Sequence, residues 1–328
     1  MKLYRQLRSA FGILYSRVTK RPVPVAVRWN LLYRCPNRCA YCSLWKQQCQ
    51  EMSTEQIVLR LAEFARLGTT RISFSGGEPL LRKDIGRLVD AAAEQGISPT
   101  MNTSGYGLSR QIDGLSGLDL LKISLDGPPE VHDRVRGRKG AHRAAMDAAE
   151  LGRRRLKKIS FSTTITSFNV HRLDYMLEMA QRFDTVVAFQ PLKTLYRGVA
   201  DIADIAPSRE DMHKAVDQLI REKRAGRRGI RNSLTELEFM RDWPRYPSLA
   251  CGAGKIFVMV NPDGTLLPCD RITYKTPLPS LLRMPVGEAL LKLPAVQCAG
   301  CAFCGSLQLN LVYSSTTWPI REVMRLVN

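Results

Sequence analysis

Leu3, Leu7, Phe11, Leu14 and Val18 recur at the spacing of one helical face, with Arg5, Arg8 and Arg17 mostly off that stripe. The pattern predicts an amphipathic helix over residues 1–21, stopped by Pro22 and Pro24. Beyond it, short apolar or β-branched runs alternate with helical periodicity. Strands are expected over 25–33, 71–75, 97–103, 118–125, 158–166 and 185–190. Helices are expected over 53–67, 84–95, 141–155 and 170–182. Ser53 is the expected N-cap of the first, with Gln56 three residues on and Gly68 closing it. Six strands alternating with helices argue for a parallel sheet of βαβ units. A closed barrel needs eight. The expected fold class is therefore α/β, a (β/α)6 partial TIM-like barrel with its site at the C-terminal ends of the strands.

After Pro207 the pattern changes. Residues 208–223 read as a helix, 225–231 as a Gly- and Arg-rich loop, and Trp243-Pro244-Arg245-Tyr246-Pro247 as a linker. Two apolar runs, 256–260 and 265–268, flank Asn261-Pro262-Asp263-Gly264 and predict a β-hairpin. The expected organisation is a basic helix (1–24), a partial barrel (25–206), a helical linker (207–247), a hairpin-based unit (248–310) and a C-terminal helix (311–328).

Composition adds a charge anomaly. Apolar and charged usage, 45% and 24% of 328 residues, is that of a globular chain. Lys and Arg number 49 against 30 acids, a net charge of +19, and no acid precedes Glu51. Such a field attracts an anionic partner or substrate. The basic helix is expected either to pack on the barrel with its Arg residues in water or to lie on an anionic membrane. No run approaches the roughly 20 apolar residues of a membrane span, and Phe11–Tyr15 is too short for a signal-peptide core. The expected location is cytoplasmic, with the inner membrane face as an extension. There, clustered Cys mark metal sites rather than disulfides.

Cys35, Cys39 and Cys42 form C-x3-C-x2-C directly after the first strand. Zinc wants a fourth ligand, which only Cys49 could supply locally because no His precedes His132. An iron–sulfur cluster held by three thiolates leaves one iron open to a ligand. Further on, Cys251 and Cys269 bracket the hairpin, and Cys298, Cys301 and Cys304 follow at x2 spacing. From spacing alone, zinc and iron–sulfur suit this second group equally.

The first Cys motif, with Tyr41 before its last Cys, resembles the radical S-adenosylmethionine (SAM) superfamily. The resemblance implies a [4Fe–4S] cluster whose open iron chelates SAM. It also implies reductive cleavage to a 5′-deoxyadenosyl radical that takes hydrogen from an unactivated carbon, with a flavodoxin- or ferredoxin-type electron donor. In the family, the stretch matching Ser75-Gly76-Gly77-Glu78-Pro79 holds the SAM amino group. Ser124, in Ser-Leu-Asp126-Gly, would lie by the SAM carboxylate or ribose, and Gln190 near adenine. Asn102, at the third strand end, and Arg136, as a carboxylate partner, complete the expected cofactor-binding set. The later Cys resemble the Twitch or SPASM extension. This implies one auxiliary [4Fe–4S] cluster on Cys251, Cys269 and a pair from Cys298, Cys301 and Cys304, with Asp270 as a candidate base. The leading expectation is net oxidation or rearrangement of a small organic substrate, anionic or lipid-linked. The alternative is a maturase acting on a peptide or protein side chain, although a separate leader-binding domain has no room before Val25. A metal-stabilised nucleic-acid binder is disfavoured, because no interleaved aromatic and basic motif is present.

Overall fold

The computed structural model describes residues 2–193, 202–270, 272–296, 301, 303 and 305–314. Along the chain run α1 (Lys2–Thr19), β1 (Ala26–Asn30), α2 (Thr54–Arg66), β2 (Arg71–Ser75), α3 (Ile85–Glu94), β3 (Ser98–Thr103) and α4 (Leu108–Gln111). Then come β4 (Leu120–Ser124), α5 (Pro129–Arg136), α6 (Ala141–Arg155), β5 (Ile159–Ile165), α7 (Leu173–Arg182) and β6 (Val187–Pro191). The later part holds α8 (Arg209–Arg224), α9 (Leu234–Arg241), β7 (Phe257–Val260), β8 (Leu266–Leu267), α10 (Val286–Leu291) and α11 (Ser306–Ser314). The six expected strands form a parallel array in the order β6-β5-β4-β3-β2-β1. This is the open, partial-barrel α/β sheet that the alternation predicts.

One row of side chains packs the sheet on its helices. Ile72, Phe74, Met101, Leu121, Ile123, Val187 and Phe189 are fully buried, sharing one core with Phe64, Leu88 and Met176 from the helices. The alternate row is polar: Arg71, Ser73 and Ser75; Ser98, Thr100 and Asn102; Lys122 and Ser124; Ser160, Ser162 and Thr164. Those residues line the barrel lumen, a cavity of about 680 Å³. α2 begins as expected, with a reciprocal capping box between Ser53 and Gln56.

The hairpin extends this sheet. β7 pairs parallel with β1 from Ala26↔Phe257 to Trp29↔Val260, and β8 pairs antiparallel with β7. The second Cys region therefore hangs on the β1 edge of the barrel itself. The expected linker is likewise part of the barrel. Ile230 pairs with Val187, and the Asn232 side chain bonds both N and O of Phe189, so this segment covers the outer edge of β6. Trp243 is buried with its Nε1 donating to Leu192 O at 3.1 Å. The Pro-rich stretch looked like a linker because proline marks breaks, but its aromatic residue is a core anchor. Within the expected C-terminal helix, residues 311–314 belong to α11 and 315–328 lie outside the described residues.

Candidate active site

The chain leaving β1 is sewn to the chain leaving β2. Leu31 N donates to Ser75 O (2.9 Å), Gly77 N to Leu32 O (2.7 Å) and Glu78 N to Arg34 O (2.9 Å). Gly76 has φ +116, and a Cβ there would sit 2.3 Å from Leu32 O. The Cys loop is held on its other side by the end of α5, where Arg38 N bonds Arg136 O and Ala40 N bonds Val135 O, each at 3.0 Å. Within it, Cys42 N donates to Cys39 O at 3.0 Å. Cys35, Cys39 and Cys42 all line the mouth of the lumen, whereas Cys49 does not. Burial raises the Cys35 thiol to about 12, with Glu78 and the neighbouring thiols adding to the rise. Burial also raises Cys39, against the pull of Arg136, whose Nη1 lies 3.9 Å from its sulfur. Cys35 and Cys39, raised in this way, ionise only with a cationic centre beside them.

Glu78 is 1% exposed. Its carboxylate accepts from Thr103 Oγ1 (2.7 Å), Ser104 N (2.7 Å), Ser104 Oγ (2.5 Å) and Leu80 N (3.3 Å). Every one of those donors is neutral, and burial outweighs them to raise its pKa. Tyr41, Ser75, Gly76, Gly77, Asn102, Ser124, Arg136 and Gln190 line the same cavity. Asn102 donates to Ser73 Oγ (3.0 Å) and Gln190 to Thr164 Oγ1 (2.9 Å).

Two predicted residues behave otherwise. Asp126 is fully buried and is absent from the cavity wall. It sits behind the wall, accepting Thr164 N (3.0 Å) and facing Arg136 Nε at 2.7 Å and Tyr41 Oη at 3.5 Å. The Arg136 Nε–H is not aimed at a hydrogen-bond acceptor, so the pair is a contact of charges. His132 Nδ1 accepts Asp126 N (2.9 Å), and burial keeps this imidazole neutral. Asp126 therefore contacts Arg136 and Tyr41 from behind the cavity wall rather than lining it. Asp270, a candidate base, lies 2.9 Å from Lys193 Nζ and 3.7 Å from Arg28 Nη1. Asp270 thus lines the lumen in contact with two cations.

Residues 29–182 match the family model described as the radical SAM superfamily. The chain is 31% identical over 264 residues to the PqqA peptide cyclase of Ruegeria pomeroyi, an alignment covering 76% of this chain and 68% of that protein. The chain belongs to the radical SAM superfamily. Similarity to the PqqA peptide cyclase of Rhizobium meliloti is 30% over 256 residues, covering 75% of this chain and 67% of that one. In fold, it resembles Streptococcus suis SuiB bound to S-adenosylmethionine, with TM-score 0.66, 14% identity and coverage of 84% and 67%.

As a radical SAM enzyme, the chain takes a [4Fe–4S] cluster and SAM as cofactors, and its SPASM-type relatives carry auxiliary clusters. The residues fit. A single zinc ion would draw its thiolates to within about 3.8 Å of one another, given its bond length of about 2.3 Å. Among the described residues, no three His, Cys, Asp or Glu side chains converge to hold one ion. A cluster anchors each thiolate on a different iron, so three cysteines of one loop that all line one cavity mouth suit it. The uncompensated Glu78 suits an ammonium group.

In the later region, Cys251 and Cys269 both pack against the apolar group of Ile13, Val25, Ile256, Leu309 and Val312. Cys251 Sγ lies 3.8 Å from Asn310 Nδ2, and Cys269 also lines the lumen. Cys301 is buried, while Cys298 and Cys304 lie outside the described residues. Sequence reasoning missed Arg28, Lys122, Lys193 and Phe303. All four line the lumen, and the Phe303 ring lies 5.6 Å from the Arg28 guanidinium and 4.7 Å from Lys193 Nζ. Arg28 and Lys122 were findable, because each occupies a polar slot in a strand that alternates.

Proposed function

We propose that this radical SAM enzyme modifies a side chain of a peptide or protein, rather than the small or lipid-linked molecule first expected. The observation that carries the reading is the 31% identity to a protein named PqqA peptide cyclase. Its site groups have separate tasks. Cys35, Cys39 and Cys42 hold the cluster, and Arg136, fixed by Asp126, offsets the negative charge gathered at Cys39. Glu78 receives the SAM ammonium, while Gly76 and Gly77 let the chain leaving β2 pass close against the backbone that leads to Cys35. Ser124, Asn102 and Gln190 line the path into the lumen. Bound together, cluster and SAM supply a 5′-deoxyadenosyl radical at the cost of one electron from a small protein reductant. Cys251, Cys269 and a pair from Cys298, Cys301 and Cys304 hold an auxiliary cluster. The cationic lumen, with Arg28, Lys122 and Lys193, favours a substrate carrying a carboxylate. Reducing cytosol is the compartment in which these thiols stay available.

Two experiments test this. The reduced, cluster-loaded enzyme is given SAM with either side-chain-deuterated acidic peptides or a deuterated lipid extract. Deuterium should enter 5′-deoxyadenosine from the peptides; transfer from the lipid alone would overturn the reading. Separately, Glu78→Gln should weaken SAM binding by roughly ten- to a hundredfold, the worth of a hydrogen bond to a charged group. Iron content should not change. Calorimetry showing unaltered SAM affinity would remove Glu78 from the assigned role.

A further inference from the structure

α1 is mounted with its polar side inward. Gln6, Ser9, Gly12, Ile13 and Ser16 face the barrel. Ser9 Oγ meets Thr70 Oγ1 at 2.6 Å, Arg5 bonds Gly96 O and Asp119 at 2.9 Å, and Arg8 bonds Ala65 O at 2.6 Å. Thr70, Gly96 and Asp119 precede β2, β3 and β4, so the helix plugs the end of the lumen opposite the Cys loop. A polar lumen needs a polar plug, which explains the orientation. It also reverses the expectation that α1 would pack with its Arg residues in water.

The consequence is an outward apolar ridge. Leu3, Tyr4, Leu7, Phe11 and Val18 are 60–71% exposed, with Leu14 and Tyr15 at 41% and 38%. Among the described residues these are seven of the ten exposed large apolar side chains, so the patch is concentrated rather than scattered. The same end of the barrel is basic. Exposed Arg153, Arg154, Arg155, Lys157 and Lys158 lead into β5, and exposed Arg224 and Arg228 lie just before the Gly229 that bonds β6. Acids on this face are partly engaged already: Asp113 with Arg155, Asp119 with Arg5 and Lys157, Glu238 with Arg224.

We infer that this face docks on an anionic lipid bilayer, with the α1 ridge in the headgroup boundary and the loops before β5 and β6 against the lipid phosphates. Length favours a bilayer over a protein partner. A helix of 18 residues is roughly 27 Å long and about 10 Å wide, well short of the ~800 Å² per partner in a stable protein interface. Insertion of apolar and aromatic side chains beside cations is what an interfacial helix does. Nucleic acid would use the cations but leave the ridge wet. Docking this way turns the mouth of the lumen away from the membrane, so the inference holds whichever substrate the enzyme takes.

The test is flotation of the full chain with vesicles of phosphatidylcholine, alone or mixed with phosphatidylglycerol. Binding to the mixed vesicles only is expected, weakening as salt rises. The double variant Leu7→Glu/Phe11→Glu should lose at least about tenfold in binding, with the thermal midpoint and oligomeric state of the wild type. Arg153→Glu/Arg154→Glu should bind several-fold more weakly. Several results would overturn the inference: no flotation of the wild type, or a Leu7→Glu/Phe11→Glu variant that floats equally well. So would a lowered midpoint in that variant, which would mean the ridge is covered by another part of this chain. Dissociation of an oligomer by the variant would mean a second copy covers it, and nucleic acid competing with vesicles for the wild type but not the double variant would move the ridge to another ligand.

Discussion

Cys39→Ala should reduce SAM cleavage to background and remove about four irons per chain, the content of one cubane. Three thiolates are already the minimum that holds a cluster with one iron open, and Cys49, the next Cys along the chain, does not line the cavity. Cys49 is half-buried, lies off the cavity and is surrounded by negative charge, with burial, Asp263 and Glu51 raising its thiol to about 11. Cys49→Ala should therefore retain full iron and full turnover. Cys39 is the most telling of the three because Arg136 sits beside its sulfur and is itself held by a fully buried Asp126. Removing the thiolate leaves a buried pair whose charge no longer faces a cluster. The measurements are iron content, the electron paramagnetic resonance signal of the reduced site and production of 5′-deoxyadenosine. A Cys39→Ala enzyme with unchanged iron and turnover, or a Cys49→Ala enzyme lacking the first cluster, would refute the ligand assignment.

Much of the barrel was legible because its strands carry two signals at once. Arg71–Ser75 came out at its observed limits, and Ile97–Thr103 within one residue, since Gly or turn residues bound short alternating runs. The Cys loop and Gly-Gly-Glu-Pro were readable because backbone geometry there tolerates few residue types. What escaped notice depends on tertiary context. α5 was missed because Pro128-Pro129 reads as a break, although proline is at home in the first helical turn. α9 carries a capping box, Ser233 with Glu236, that was there to be seen. That β7 would pair with β1 across more than 200 residues has no local signature, and neither does the inward turn of a helix whose apolar stripe is the obvious feature. The orientation of α1 follows from the polar lumen it closes, and that polarity is itself written in the alternate residues of β2 to β5. Amphipathicity predicts that a helix has two faces, but only its neighbour decides which one is buried.

The second large effect is expected from Gly77→Ala, a change of one methyl group. The added Cβ would lie 2.1 Å from Arg34 O and 2.6 Å from Tyr33 O. Both obstacles are backbone atoms, so no rotamer change relieves the clash. Two hydrogen bonds, Gly77 N to Leu32 O and Glu78 N to Arg34 O, must lengthen or break. Overpacking costs about 1–3 kcal/mol, and each backbone bond adds about 1 kcal/mol, so a loss of about 3–5 kcal/mol is expected. The damage is also local to function. Arg34 is followed at once by Cys35 and Gly77 by Glu78, so separating the strand exits separates a cluster ligand from the carboxylate assigned to the SAM ammonium. Gly96→Ala is the matched control. It has φ +75 but nothing within 4 Å of where the new methyl group would stand, so it should cost only the left-handed penalty of about 1–2 kcal/mol and leave iron and SAM binding untouched. Denaturant unfolding of both variants, with iron content and SAM calorimetry on the same preparations, separates the two. If Gly77→Ala were no less stable than Gly96→Ala and bound SAM within about twofold of wild type, a gap of under about 0.4 kcal/mol, the close approach of the two strand exits could not be what builds this site.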